Sequence, residues 1–407
     1  MLTRVVLFGL RALTYGLSRS DGRDTFVLMA PSIEGSRGDA AMMEVLLSNL
    51  RRKFDGRVVL LCYRRSERYQ EFVDRFRVEV RSLEEFARQP LELRALLRRT
   101  HTFRFIGADI VDGFYSVRTT LLRLAVAQTF AHAGGDARMI SFSFSASPTQ
   151  NVCEMWRQLP SSLGLLVRDP ESQRRLERLL GRSLPRAADL AFLLEPDPAG
   201  VEDVVARIEG ERARGQVVVG VGVNALLLDA SGRRALGAIL SQLAAENPRL
   251  SLWLVAHDFR ANSSDLDAAR DAASNVAAEV ASRVSLIDRA YGPRQIKAIA
   301  GHLDAVVSGR MHFSIAALSQ GVPAFCMRYQ GKVEGLLELV GLGSEIDNVS
   351  VPSEAVNRDW KGVAERVRLF LDRRAELGAR ISRELEGVKQ QSALNLQFSR
   401  LEGGPPS

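Results

Sequence analysis

Short apolar runs alternate with helix-length amphipathic segments along nearly the whole chain, and this alternation restricts the fold more than any other feature. Strands separated by helices pair in parallel, because the chain must cross back over the sheet before each new strand. Parallel sheets in turn need helices on both faces. A first series of apolar runs falls at 26–30, 58–63, 102–106, 139–144, 164–167 and 190–194. After the first run, Met43, Leu46, Leu47, Leu50 and Phe54 recur at helical spacing. A second series falls at 217–223, 252–256, 284–287, 305–308 and 323–327. Between the two series, 195–215 carries two prolines and then a charged helical stretch, which reads as an interdomain connection.

The expectation is an α/β protein of two Rossmann-like domains facing across a cleft. Its parts are an N-terminal amphipathic segment (1–25), a first α/β domain on the acceptor side (26–195), a linker (196–215), a second α/β domain on the donor side (216–345), and a C-terminal helical segment and tail (346–407). A chain of 407 residues is long enough for two such cores. Ligands of open parallel sheets bind at the carboxyl ends of the strands, so residues directly after a strand carry the most weight.

Composition narrows the partners. The net charge of +7 is an excess of arginine spread over the chain, with no basic run and no nucleic-acid-binding signature, so nucleic acid is not expected and a small anionic substrate is. Cys62, Cys153 and Cys326 lie far apart without ligand spacing, which argues against a disulfide framework and a structural metal and fits a reducing, cytoplasmic location. In the first twenty residues Arg4, Arg11 and Arg19 interrupt the apolar stretch, so it is too short to span a bilayer and does not form a signal peptide. A helix packed on the body is the first reading of this segment. A basic amphipathic helix at the inner face of an anionic membrane is the second.

Four segments could carry chemistry. The segment from Asp304 to Pro323 places Ser308, Arg310 and His312 after a buried strand and at the start of a helix. At two-residue spacing on extended backbone the three point one way, towards a helix N-terminus that favours an anion. Arg310 adds a fork matched to phosphate or carboxylate, and His312 can exchange a proton near neutral pH. An arginine so placed contributes more to a ligand than to the core. The plain alternative is a structural ion pair for Arg310 and a cap for His312. In a second segment, Gly35 and Gly38 let backbone approach a ligand, and Asp39 is either a general base or a helix N-cap. In a third, Arg168 ends a strand as an anion ligand and Asp169 caps the helix that follows. The fourth, Gly220 to Ala225, imitates a dinucleotide fingerprint, but the helix is delayed, and it reads as a close-packed strand end.

From about Phe26 to Leu342 the chain resembles the polysaccharide pyruvyl transferase family. The elements that carry the resemblance are Gly38-Asp39 before a helix, Arg168-Asp169 with Ser172, the stretch Ala187-Ala188-Asp189-Leu190-Ala191-Phe192, and above all Ser308, Arg310 and His312 leading to Gly321-Val322-Pro323 and Lys332. The resemblance implies a GT-B-like fold and transfer of a pyruvyl group from phosphoenolpyruvate onto a sugar as a ketal. The acceptor would be a polysaccharide or a lipid-linked glycan precursor, handled in the cytoplasm close to the membrane. Carried over by position, Arg168 and Arg310, joined by Lys332, would grip the donor's phosphate and carboxylate, and Ser308 and Gly38 would be substrate-binding. His312 would move the proton and Asp39 is the candidate base. No cofactor is implied beyond the donor substrate, and no metal.

The chain departs from the family at Ser36-Arg37, and at 107–113, where Asp109 and Asp112 add two carboxylates as candidate ligands of sugar hydroxyls. Two rival functions remain open. One is a nucleotide-sugar glycosyltransferase on the same architecture, for which Glu338 and Glu345 stand seven apart rather than the eight expected. The other is a non-catalytic anion- or glycan-binding relative.

Overall fold

The computed structural model describes Thr14 and residues 23–31, 35–260 and 263–398, so the N-terminal segment lies almost wholly outside the described residues. The described chain forms two compact units. One comprises 23–31, 42–190 and 390–398, the other 35–41 and 191–389.

In the first unit β1 (Thr25–Met29), β2 (Arg57–Cys62), β3 (Glu79–Ser82), β4 (Thr100–Ala108), β5 (Asp136–Phe142) and β6 (Gly164–Val167) form one sheet in the order β3-β2-β1-β4-β5-β6. Every pair is parallel. Val27 sits opposite Val59 on one side and Phe103 on the other, all three fully buried, as expected of central strands covered on both faces. In the second unit the strands are β7 (Val217–Gly222), β8 (Leu250–Val255), the short hairpin of β9 (Phe259–Arg260) and β10 (Ser263–Ser264), β11 (Val284–Leu286), β12 (Ala305–Ser308), β13 (Ala324–Arg328) and β14 (Ser350–Pro352). Its six-stranded sheet runs β11-β8-β7-β12-β13-β14. Both sheets thus follow one plan, in which the first strand is flanked by the second and the fourth. The chain reverses its direction of winding there, and the crevice that opens at the carboxyl ends is where such sheets take ligands.

The structure draws several boundaries differently from the sequence reading. The stretch expected as a linker contains the helix Glu202–Ala213, which buries Val204 and Ile208 and belongs to the second unit. The run at 190–194 is a 3-10 turn, Leu190–Leu193, whose Ala191 and Phe192 carbonyls accept from the buried Lys297 ammonium at 3.3 and 3.1 Å. Strands β3 and β14 went unread, since Glu-Val-Arg-Ser and Ser-Val-Pro lack an apolar run; both are edge strands, where polar residues and proline are tolerated. The C-terminal helix Arg374–Ala393 starts in the second unit and the chain after it returns to the first.

A fully buried arginine holds that return. Arg104, in the middle of β4, donates to the Asp136 carboxylate at 2.6 Å and to the Gln397 carbonyl at 2.9 Å, and its guanidinium lies 5.6 Å from the Phe398 ring. Burial pulls its pKa down to about 10 despite Asp136, so the charge is kept at neutral pH. Removing it takes one of the two guanidiniums from Asp136, leaves a cavity in the core and frees the tail. Arg104→Ala should destabilise the first unit by about 3–5 kcal/mol, read as a lower urea midpoint.

Candidate functional site

In the second unit, the carboxyl ends of four neighbouring strands deliver polar side chains that the sheet order brings together. Asn224 follows β7, His257 and Asp258 follow β8, Arg310 and His312 follow β12, and Lys332 follows β13. The extended backbone of β12 ends at Ser308, however, and the helix Met311–Leu318 begins at once. Arg310 is its N-cap in extended conformation, while His312 is already helical. Alternation along a strand therefore does not orient the three residues. The Ser308 hydroxyl points back on its own loop, accepting from the Arg310 N–H at 2.9 Å and donating to the Arg310 carbonyl at 3.0 Å. It acts as a clip, and a Cβ on Gly222 would come within 2.5 Å of it.

Arg310 has partners within its own unit. Its Nε and Nη2 donate to the two oxygens of Asp265 at 2.8 and 2.6 Å, and Nη1 lies 3.3 Å from Asp258. Both carboxylates are buried, and the arginine side chain is 11% exposed. Burial alone would lower its pKa, but Asp265 and Asp258 hold it above the usual value, so the guanidinium is permanently charged. Asp265 also accepts from the Ala225 N–H at 3.0 Å, and Asn224 donates to the Gly309 carbonyl at 2.8 Å. The expectation that Arg310 serves a ligand rather than the core is thus corrected: it ties the ends of β7, β8 and β12 together. With one positive charge between two carboxylates, it presents no open fork.

His312 lies against Gly38. A Cβ placed on Gly38 would fall 2.0 Å from Nδ1 of the imidazole, so only glycine leaves room for the ring. The segment carrying Gly38 is itself held by the second unit: Ser36 bridges to Asp258, the Arg37 N–H donates to the His257 carbonyl at 3.3 Å, and the Arg37 guanidinium lies 5.0 Å from the Phe259 ring centre. Ser36, not Asp39, caps the helix Arg37–Lys53, its hydroxyl accepting from the Asp39 N–H at 3.3 Å. Asp39 is buried in the first turn, next to the glycine that touches the imidazole. The His257 ring stacks parallel to His312, 6.5 Å away and 7° from coplanar. Burial, together with the charges of His312, Arg310 and Arg37, puts the His257 pKa far below the ordinary histidine value, so this ring is neutral. Lys332, also buried, sits over the Tyr329 ring at 4.3 Å.

The remaining expected residues belong to the first unit. Arg168, after β6, is buried, donating to Ser143 at 2.7 Å and to Asp189 at 2.8 Å. Within the first unit it ties the end of β5 to the segment before the 3-10 turn. Asp169 caps its helix through the Ser172 N–H at 2.7 Å, as expected. Asp112 is buried and accepts from the backbone of Phe114 at 3.0 Å and of Ser145 at 3.2 Å; it fixes the loop after β4 and is not presented to a sugar. Asp109 is half-buried and accepts from the Tyr115 hydroxyl at 3.0 Å. Among the described residues no group of three or more histidine, cysteine and acidic side chains is placed to hold a metal ion, and no helix is long and apolar enough to cross a membrane.

The family model described as Polysaccharide pyruvyl transferase matches residues 37–331, from the arginine before Gly38 to the residue before Lys332. The chain belongs to this family. No curated protein matches the sequence. Among solved structures, UDP-GlcNAc 2-epimerase from Neisseria meningitidis bound to UDP-GlcNAc superposes with a TM-score of 0.57 at 13% identity, covering 91% of this chain and 97% of that one. UDP-GlcNAc 2-epimerase from Methanocaldococcus jannaschii gives 0.55 at 11% identity, covering 89% and 99%. The N-terminal domain of trehalose-6-phosphate phosphatase from Candida albicans gives 0.53 at 11%, covering 92% and 96%. At such identities the likeness establishes the fold, and the pyruvyl transferase family member has a GT-B-like pair of parallel α/β domains.

Sequence reading missed three members of the second unit's cluster, His257, Asp258 and Asp265. The first two follow β8 directly, so the rule that singled out Arg310 could have found them; Asp265 stands 45 residues before its partner and gave no local signal. Glu345, half of the glutamate pair tested for a nucleotide sugar, is bound to Arg373 at 2.8 Å and Arg380 at 2.9 Å, which pull its pKa down to about 2. It is an internal tie of the second unit.

Two measurements follow from this geometry. Arg310→Ala, which leaves the buried Asp265 without its guanidinium and Asp258 with Arg260 alone, should cost about 3–5 kcal/mol of stability on urea unfolding. His257, neutral when folded and protonated below about pH 6.5 when unfolded, makes stability fall as pH drops below that value, by up to about 1.4 kcal/mol per pH unit. His257→Gln should flatten that slope between about pH 6.5 and pH 5, and an unchanged slope would mean that the ring is protonated in the folded protein.

Proposed function

We propose that this family member transfers a pyruvyl group from phosphoenolpyruvate to two hydroxyls of a saccharide, forming a ketal and releasing phosphate. The observation that carries this reading is the placement of His312 at a helix start against Gly38, inside the region matched by the family model. In the reaction, a proton adds to the methylene carbon of the donor and leaves an oxocarbenium-like centre on the next carbon. A sugar hydroxyl attacks that centre and loses its proton. The bond from carbon to the phosphate oxygen then breaks, and a second hydroxyl closes the ketal as its proton leaves.

The residues divide these tasks. His312 gives the proton to the methylene carbon, and Asp39, on the same short segment as Gly38, takes the proton of the attacking hydroxyl. The donor's negative charge is met by Lys332, by Arg37 and by the N-terminal amides of the helix Met311–Leu318, and Arg310 holds these parts in register through Asp265 and Asp258. The chemistry needs an acid, a base and cations, all of which side chains can supply, and phosphoenolpyruvate enters as a substrate rather than a resident cofactor. The acceptor is a glycan or a lipid-linked sugar precursor, and a donor drawn from central metabolism puts the reaction on the cytoplasmic side of any membrane involved.

Phosphoenolpyruvate should raise the melting temperature and UDP-GlcNAc should not; stabilisation by the nucleotide sugar alone would replace this reading with a nucleotide-sugar enzyme. With a competent acceptor, His312→Gln should keep the phosphoenolpyruvate-induced thermal shift and lower phosphate release by about 100- to 10,000-fold. Loss of the shift with unchanged turnover per bound donor would make His312 a ligand instead of an acid.

A further inference from the structure

The loop after β4 presents two consecutive aromatic side chains to solvent, Phe114 at 60% exposure and Tyr115 at 49%. Their rings meet edge to face, with centroids 5.1 Å apart and planes at 86°, and so form a corner with two open faces. Slack in the chain does not account for the exposure. The buried Asp112 carboxylate accepts from the Phe114 and Ser145 amides, Trp156 donates its indole N–H to the Val111 carbonyl at 2.9 Å, and Thr120 donates to the Ile110 carbonyl at 2.9 Å. Gly113, at φ +88°, makes a turn that other residues rarely adopt. The loop is therefore anchored on both sides of its exposed corner, and its aromatic faces are held out to water at a cost in unburied apolar area.

The polar groups beside the corner indicate what it takes. The Tyr115 hydroxyl donates to Asp109 at 3.0 Å, and the Asp109 charge also acts on the buried Arg168. A flat apolar face with a hydroxyl and a carboxylate at its rim matches a pyranose ring. One face of such a sugar carries C–H groups with partial positive charge, which settle on the negative face of an aromatic ring, while its hydroxyls at the edge donate to a carboxylate. We propose that Phe114, Tyr115 and Asp109 form a pyranose-binding platform for the acceptor. The proposal rests on the reading above only in taking a saccharide as the acceptor. Asp112 serves it as the positioning residue that fixes the loop.

The platform is tested on the full chain without donor, by saturation-transfer NMR with the methyl β-glycosides of glucose, galactose and N-acetylmannosamine. At least one glycoside should receive saturation through its ring C–H protons. Phe114→Ala and Tyr115→Ala should weaken that binding about tenfold, Asp109→Asn should weaken it too, and Leu91→Ala, which removes an exposed side chain elsewhere on the first unit, should leave it unchanged. All three site substitutions are at exposed or half-buried positions and should leave the melting temperature near that of the parent. No transfer to any of the three glycosides, or equal transfer in the parent and Phe114→Ala, overturns the platform. Because donor is absent, the readings fail separately: glycoside binding without phosphoenolpyruvate binding keeps the platform and discards pyruvyl transfer, and the reverse discards the platform alone.

Discussion

The candidate site depends on one buried ion pair. Through Asp265 and Asp258, Arg310 connects the ends of strands that are adjacent in the sheet but up to about ninety residues apart in sequence. A buried pair of this kind adds little net stability, because desolvating three charged groups consumes most of the attraction between them. What it supplies is geometry. The bidentate fork permits one orientation of the loop after β12, and that loop starts the helix on which His312 rides. Apolar groups of the same volume could fill the space, but they would not fix the angle at which the imidazole meets Gly38.

The stacked histidines follow from the same arrangement. The two imidazoles lie 6.5 Å apart, and burial above all keeps His257 neutral. The segment of Gly38 and Asp39 joins this cluster by backbone contacts, since Ser36 and Arg37 pair with the strand end that carries His257 and Asp258. A short piece of chain at the start of a long helix thus belongs to a sheet formed more than 150 residues later. The aromatic contact of Arg37 with Phe259 adds to that attachment and leaves a cation near the imidazoles.

Much of the fold was legible because the central strands are buried on both faces and therefore write themselves as continuous apolar runs. The edge strands β3 and β14 were not, for the opposite reason: one side of each is open, and polar residues suffice. At 190–194 the apolar run was read as a strand, yet its carbonyls are satisfied by Lys297 and not by a ladder, which no local pattern reveals. In the site, Arg310 and His312 both stand just beyond β12, but carrying strand alternation past Ser308 gave them the wrong relation. Gly38 was read as space for a ligand, whereas the space is filled by His312, a contact visible only once the two segments are folded together.

Arg168 and Arg310 show why a strand-end arginine is an ambiguous signal. Both follow a buried strand, both precede a helix, and both prove to be matched by carboxylates of their own unit, Asp189 for one and Asp265 with Asp258 for the other. Whether such an arginine is free for an anion depends on the acids that the surrounding loops bring within reach, and these need not lie at the next strand end: Asp189 precedes a 3-10 turn, Asp265 opens a helix and Asp258 follows β8, two strands from β12. Where an acid stands within reach, the arginine is neutralised and becomes a tie; the charge left to attract a substrate must then come from groups beyond it. In the second unit Arg310 and Arg260 together balance Asp265 and Asp258, so the positive charge left for an anionic ligand beside His312 lies with Lys332, Arg37 and the helix N-terminus.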